Sequence, residues 1–340
     1  VPSFDWLAAA RSALAADISP GVGVDWRHLG DAVALTRWRC RERDPRPRGD
    51  KQQLWHVIGF VRGGAFRLRD ASTDGVADAT RLLFYNPGSS YETSHPCGCG
   101  DHGGALVLRE DLARELVGRW DAGAAGAARA VFPRALGAGE PRLQAEFWSL
   151  LRSLADPGGG RPAIESLSVE ERAIGIAARA VARLFAGRPP EAVVDRPTTA
   201  RAARRRRERA IRVQELLWRR MAEGVRLADL AAEVGISACR LCHEFRATTG
   251  CTVHGYLIRL RLARAAELLE SGGGLDLSAL AHDLGFSSHS HFTSAFRAAF
   301  GATPSRVRAL DQGHAGALHR HVGAGAHRDP HLGLGEGGSG

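Results

Sequence analysis

RLADLAAEVGISACRLCHEFRATTG (226–250) and DLSALAHDLGFSSHSHFTSAFRAAFG (276–301) carry one pattern twice. Leu227 aligns with Leu277, Leu230 with Leu280, Ala231 with Ala281, Gly235 with Gly285 and Ser237 with Ser287. One residue is then inserted, and Phe245 meets Phe296 and Gly250 meets Gly301. Apolar residues at 227, 230, 231 and 234 recur at intervals of three and four, one face of a short helix. Gly235 can turn left-handed where that helix stops, and the Ser237 hydroxyl can cap the next helix by accepting from a free backbone N–H. Residues 280–287 repeat this grammar. The small residue four positions before each glycine, Ala231 or Ala281, lets two helices cross closely. Each copy therefore reads as a helix-turn-helix. Between them, VHGYLIRLRLARAAELLE (253–270) is a long amphipathic helix with Tyr256, Leu257, Leu260, Ala263 and Leu268 available for burial.

Two such units on one long helix resemble the DNA-binding domain of AraC/XylS-type transcription regulators. The second unit carries that family's GF-S, F-x-x-x-F and FG-x-x-P-x-x-x-R elements at Gly285, Phe286, Phe292, Phe296, Phe300, Gly301, Pro304 and Arg308. The first is looser. The resemblance implies double-stranded DNA as a partner, activation through contact with RNA polymerase, and control by a small-molecule effector. It places base-reading positions on Cys239, Cys242 and His243.

The first recognition helix is expected from Ser237 to about Thr248, with Leu241 and Phe245 inward and Ala238, Cys239, Cys242, His243 and Arg246 toward the groove. Cysteine is a weak hydrogen-bonding group, so readout there leans on His243 and on contact with thymine methyls. The second is expected from Ser288 to about Ala299, with Phe292 and Phe296 inward. Its groove side, His289, Ser290, Thr293, Ser294 and Arg297, suits phosphate positioning and tolerant base contact. Two such helices on a rigid connector can reach successive major grooves, about 34 Å apart.

The charge is placed accordingly. The 340 residues carry a net charge of +9, with nineteen Arg against ten Asp/Glu between 196 and 310, so the remaining segments together are close to neutral. Lys51 is the single lysine, which points to a codon bias for Arg, but such a bias does not create the asymmetry. Basic excess confined to one half is what phosphate neutralisation requires. ARRRRERAIRVQELLWRRMAEG (203–224) opens the DNA-binding domain as a helix burying Ile211, Leu216 and Leu217, with Arg204–Arg207 at a solvated end that touches phosphate.

The N-terminal half has another texture. VALTRWRC (33–40), LWHVIGFVRG (54–63), AFRLRD (65–70), TRLLFYNPG (80–88) and ALVLRED (105–111) are short strand-like runs broken by Gly, Pro and Asp, as in a small barrel or jelly roll. FVRGGAFRLRD reads as a hairpin. With LLFYNPGSSYETSHP it resembles the cupin-like sensor domain that often precedes this DNA-binding domain. Residues 140–156 and 165–186 read as helices, the second with a Ser168–Glu171 capping box; they either cover the barrel or pack in a dimer. A helix is expected around Trp6, Leu7 and Leu14, a linker over 187–202, and disorder over the Gly/His-rich 311–340. The fold class is thus multi-domain α+β: a β-rich cupin-like barrel (1–135), a helical connector (136–195), an all-α double helix-turn-helix domain (196–310) and a tail.

No membrane-length apolar run and no signal peptide is evident, so a cytoplasmic protein without a membrane partner is expected. A homodimer is left open. Six cysteines in a long chain without a secretion signal do not suggest a disulfide framework. Three motifs compete with the regulator reading. Cys239-Arg-Leu-Cys242-His243 spells the c-type haem attachment sequence, but it sits where the recognition helix is required. His95, Cys97, Cys99 and His102 lie within eight residues and are soft-metal candidates, with Cys40 as a further ligand. The alternative function is accordingly a metal- or thiol-responsive regulator sensing through that cluster. A cupin enzyme would need an H-x-H pair; His56 stands alone, and no nucleophile elbow, phosphate loop or carboxylate pair accompanies it. Neither catalysis nor a cofactor is expected.

Overall fold

The computed structural model describes residues 22–126, 130–154, 166–186, 199–270 and 275–309. The helix expected around Trp6, Leu7 and Leu14, most of the 187–202 linker and the histidine-bearing tail lie outside them.

The N-terminal half is built of two antiparallel sheets. One has the order β1 (Val22–Leu29), β2 (Val33–Cys40), β9 (Asp101–Leu108), β4 (His56–Gly63), β7 (Arg81–Tyr85), β10 (Leu136–Ala138). The other runs β3 (Arg48–Gln52), β8 (Ser90–Ser94), β5 (Phe66–Arg69), β6 (Asp74–Ala77). Every position of β4 from His56 to Val61 is buried, because both faces of its sheet are covered. Val57 and Val61 point into the core between the sheets, against Phe66 and Leu68. Ile58 and Phe60 point the other way, into a core completed by helices. Those helices are α1 (Glu110–Gly118), α3 (Pro141–Ser153) and α4 (Ser166–Ala186); the short α2 (Ala122–Gly126) follows α1. Phe60 stacks on Phe147 of α3 with ring centroids 3.9 Å apart. Both long helices thus spend their apolar stripes on the six-stranded sheet, the covering alternative of the two expected.

Two local expectations are corrected. FVRGGAFRLRD is not a hairpin: β4 pairs with β7 and β9, whereas β5 pairs with β6 and β8. The chain crosses from one sheet to the other at Gly64, whose φ is +82° and where a Cβ would lie 2.1 Å from the Gly100 carbonyl oxygen. Ser168 and Glu171 lie inside α4, which already begins at Ser166, so they are not its capping box.

The C-terminal half is helical: α5 (Ala200–Arg219), α6 (Leu227–Glu233), α7 (Ala238–Thr249), α8 (Val253–Glu270), α9 (Leu277–Asp283) and α10 (His289–Phe300). The side chain of Thr199 caps α5 by accepting from the Ala202 backbone N–H. Helix α8 serves two small cores. Its first half supplies Val253, Tyr256, Leu257 and Leu260 to a cluster with α5, α6 and α7. Its second half supplies Leu262, Ala265, Ala266 and Leu269 to a cluster with α9 and α10. Ala263 and Leu268, expected in the core, are half-buried, and Leu227 is exposed. No helix among the described residues is long and apolar enough to cross a membrane.

Candidate nucleic-acid interface

The two turns have the same backbone geometry. Gly235 has φ +67° and Gly285 φ +78°, the left-handed region in which a β-carbon is strained. After the first turn, Ser237 Oγ accepts from the Arg240 backbone N–H at 3.3 Å and starts α7. In the second unit the cap is Ser288, not Ser287: Ser288 Oγ accepts from the His291 N–H at 3.1 Å, while Ser287 Oγ lies 3.1 Å from His291 Nδ1. Both recognition helices end at left-handed glycines, Gly250 (φ +78°) and Gly301 (φ +76°).

On α7, Leu241 and Phe245 are buried; Cys239, Cys242, His243 and Arg246 are exposed, and Ala238 packs half-buried against the core. On α10, Phe292 and Phe296 are buried, His289, Ser290, Ser294 and Arg297 are exposed, and Thr293 is half-buried with its hydroxyl 3.3 Å from His289 Nε2. Each helix therefore offers one polar outward face on a fixed apolar back. Arg204, Arg205 and Arg207 are exposed on the first turns of α5.

Two residues that hold these faces in place were not singled out in the sequence. Glu244 is buried on the inner side of α7. It accepts from Arg209 Nε and Nη2 of α5 and from Arg240 Nε, each at 2.8 Å. Burial alone would raise its pKa, but the bonds from Arg240 and Arg209 prevail and hold it below the ordinary glutamate value. Arg261, in the middle of α8, is 7% exposed. Its guanidinium donates to the carbonyls of Met221 (2.7 Å), Glu223 (2.9 Å) and Gly285 (2.6 Å) and lies 5.9 Å from the Phe286 ring centre. One side chain thus satisfies carbonyls from the segment leading into the first unit and from the turn of the second.

The helical half is also docked on the sheets. Ile211 of α5 packs against Ala65 and Val76. The Tyr256 hydroxyl donates to Asp78 Oδ2, whose residue is fully buried and also accepts from the Thr80 N–H (2.8 Å) and hydroxyl (2.6 Å). Burial raises the Asp78 pKa against those bonds. Glu267 accepts from Arg264 (2.6 Å) and lies 3.0 Å from His102 Nε2; Glu270 pairs with Arg62 and, at 2.5 Å, with Arg152.

The four metal candidates are not brought together. His102 turns to Glu267, and Cys97 lies beside Ala65, Val76 and Ile211. A hydrogen bond shared by Cys97 and Cys99 pulls the Cys99 thiol down to about 6 and pushes Cys97 up. Instead, Cys40, His95 and Asp101, all buried, place one ligand atom each within 4.8 Å of one another. The register explains this: Cys40 on β2 is directly opposite Asp101 on β9. Burial works to lower the His95 pKa, but the hydrogen bonds to Asp101 and Cys40 raise it to about 9. Asp101 carries no signal of its own in the sequence beyond standing in a Cys- and His-rich run. His56, at the start of β4, is buried with its ring edge-on to Phe132, and burial lowers its pKa to about 4. Cys239 and Cys242 are exposed on α7.

Residues 230–309 match the family model described as a helix-turn-helix domain. Among curated relatives, the chain is 34% identical over 86 residues to the HTH-type transcriptional activator RhaS of Pectobacterium atrosepticum, covering 25% of this chain and 30% of that protein. It is 28% identical over 96 residues to the Msm operon regulatory protein of Streptococcus mutans, covering 28% and 34%. It is 29% identical over 177 residues to a putative AraC-like transcription regulator of Streptomyces antibioticus, covering 50% and 54%. The matches thus span about a third to a half of these relatives' own lengths. Among solved structures, ToxT from Vibrio cholerae is similar over 87% of this chain and 100% of that one, at 11% identity and a TM-score of 0.31, a likeness too loose to carry an argument.

Proposed function

We propose that the chain, whose residues 230–309 match a helix-turn-helix domain, is a sequence-specific transcription regulator of the AraC/XylS type that grips double-stranded DNA with α7 and α10 together. The observation that carries this reading is the pair of matched outward faces, each set by a left-handed glycine and a serine cap and both fixed to α8. In this reading Cys239, Cys242 and His243 contact base edges in one major groove. His289, Ser290, Thr293 and Ser294 make more tolerant contacts in the next, and Arg246 and Arg297 contact phosphate. The two-sheet domain binds the effector and controls the helical half docked on it. Regulation is activation through RNA polymerase, and the site of action is the cytoplasm. The exposed thiols of α7 serve DNA contact, not haem attachment.

The test is selection of fragmented genomic DNA by the full chain at physiological salt. A recurring site with two conserved blocks about ten base pairs apart is expected. Sequence-blind, salt-sensitive binding under all effector and metal conditions would overturn the specific-regulator reading. His243→Ala should relax preference at one base position of the selected site; an unaltered motif would remove His243 from the readers.

A further inference from the structure

We infer that Cys40 Sγ, His95 Nε2 and Asp101 Oδ2 form a binding site for a divalent metal ion of the zinc class, and that this site is the chain's regulatory input. The second clause rests on the DNA-binding reading; the first does not.

His95 Nε2 lies 2.8 Å from Asp101 Oδ2 and 3.7 Å from Cys40 Sγ. Both neighbours meet the same ring nitrogen. A proton relay would need them on opposite nitrogens, with the carboxylate on Nδ1 and the thiol on Nε2. Here Nδ1 is buried without a partner, so the arrangement converges on a point and does not run in a line. Convergence is metal geometry. Zinc bonds of about 2.0–2.3 Å in a tetrahedron put ligand atoms about 3.2–3.8 Å apart, and small shifts bring the observed contacts into that range. One thiolate, one imidazole and one carboxylate are a donor set for zinc-class ions, with a position left for an incoming ligand.

The surroundings support the same reading. The Trp38 indole N–H donates to the other carboxylate oxygen, Asp101 Oδ1, at 2.7 Å and leaves Oδ2 turned to the cluster. Such an outer partner orients a first ligand. Cys40 and Trp38 sit two apart on β2, and Asp101 begins β9, so two of the three ligands ride on paired strands. The third, His95, is tied down by its backbone N–H donating to the Asp44 carbonyl at 3.0 Å.

The connection to the helical half is short. The segment 96–102 leaves and re-enters the cluster, and it touches that half three times. Arg219 of α5 donates to the Pro96 carbonyl, Cys97 packs beside Ile211 and Trp218, and His102 lies 3.0 Å from Glu267 of α8. An ion seated between His95 and Asp101 would part their ligand atoms from 2.8 Å to about 3.2–3.8 Å and so act on both ends of this segment.

The experiment titrates Co2+ alone, as a spectroscopic stand-in for zinc, into the full chain. A saturable one-to-one thiolate-to-cobalt charge-transfer absorption is expected, abolished by Zn2+ competition. Cys40→Ser should lose that absorption. Asp101→Asn, which preserves the Trp38 bond and guards against a misfolded Cys40 variant, should keep it and bind at least about tenfold more weakly. The Cys97→Ser/Cys99→Ser double variant should retain it. Absence of the absorption in the wild type, its survival in Cys40→Ser, or its loss in the double variant would each overturn the site. For the input, Zn2+ should change affinity for the selected DNA site by at least about fivefold in the wild type, and in Asp101→Asn only at a Zn2+ concentration at least about tenfold higher. Equal wild-type affinities with and without Zn2+ would overturn the coupling. A chain that binds Co2+ as described but selects no DNA site would instead sink the regulator reading and leave the metal site standing.

Discussion

Replacing Gly285 by alanine should cost far more than the same change at Gly235, although both glycines end the first helix of a helix-turn-helix. Left-handed backbone costs an alanine about 1–2 kcal/mol, and this part is common to both sites. Around Gly235 an added Cβ meets nothing within 4 Å. At Gly285 it would lie 2.6 Å from Arg261 Nη2 and 2.9 Å from the Ala222 carbonyl oxygen. Backbone cannot yield cheaply, so the Arg261 guanidinium must move, and it holds three carbonyls. A hydrogen bond from a charged donor contributes about 1.5–3 kcal/mol, so losing one or two adds about 2–5 kcal/mol. Gly235→Ala should then cost about 1–2 kcal/mol and Gly285→Ala about 3–7 kcal/mol. A chain with several cores need not unfold in one step, so bulk melting is the wrong probe. Amide hydrogen exchange across α6 and α7 for Gly235→Ala, and across α9 and α10 for Gly285→Ala, reads the local opening energy directly. Equal loss of protection in the two variants would refute the role assigned to Arg261.

Tyr256→Phe removes the hydroxyl that donates to Asp78 from the helical half; it should destabilise the docked arrangement by about 1–3 kcal/mol, seen as faster proteolysis between the sheets and α5. Unchanged cleavage would show that this hydrogen bond does not hold the halves together. Arg246→Ala and Arg297→Ala should each weaken binding to all DNA sequences alike and reduce the slope of log affinity against log salt by about one; an undiminished slope would take that arginine off the phosphate backbone. His56 has a folded pKa of about 4 against 6.5 for the free side chain, so it contributes stability fully above pH 6.5. As pH falls from 6.5 toward 4, the unfolded chain binds a proton that the folded chain refuses, and about 3 kcal/mol is lost across that window. His56→Gln should flatten that part of the stability–pH curve, and a curve of unchanged shape would contradict the assignment.

The helix-turn-helix units were legible because their information is local. A three-and-four apolar spacing, a glycine and a serine lie close together in sequence, and the structure departs in detail: the second cap is Ser288 and not Ser287, Leu227 is exposed, and Ala238 packs against the core. The strands were legible where both faces are buried, as in VALTRWRC and WHVIGFV. They were not where pairing alone defines them: β3 is charged, β6 is four residues of DGVA, and β10 is three. Such segments carry no period, and their partners are supplied by distant chain. The same limit governs the Cys/His cluster. Nearness along the sequence grouped His95 with Cys97, Cys99 and His102. Strand register instead set Cys40 opposite Asp101, sixty-one residues on. The Gly64 crossing was misread for a related reason, since Gly-Gly between two apolar runs is also what a hairpin looks like.

Helix α8 has one further consequence. Because both recognition helices are packed on its 18 residues, their separation is a property of one rod and not of a tether. A flexible connector would let the second unit drift among operators of different pitch. A helix gives no such latitude: each residue advances the axis by about 1.5 Å and turns it by about 100°. Inserting a single residue near Arg261 would rotate the second unit relative to the first, about the α8 axis, by more than a quarter turn. If the two units grip DNA together as proposed, the spacing of their contacts is set by this rod, and variation in target sequence has to come from the side chains that α7 and α10 present.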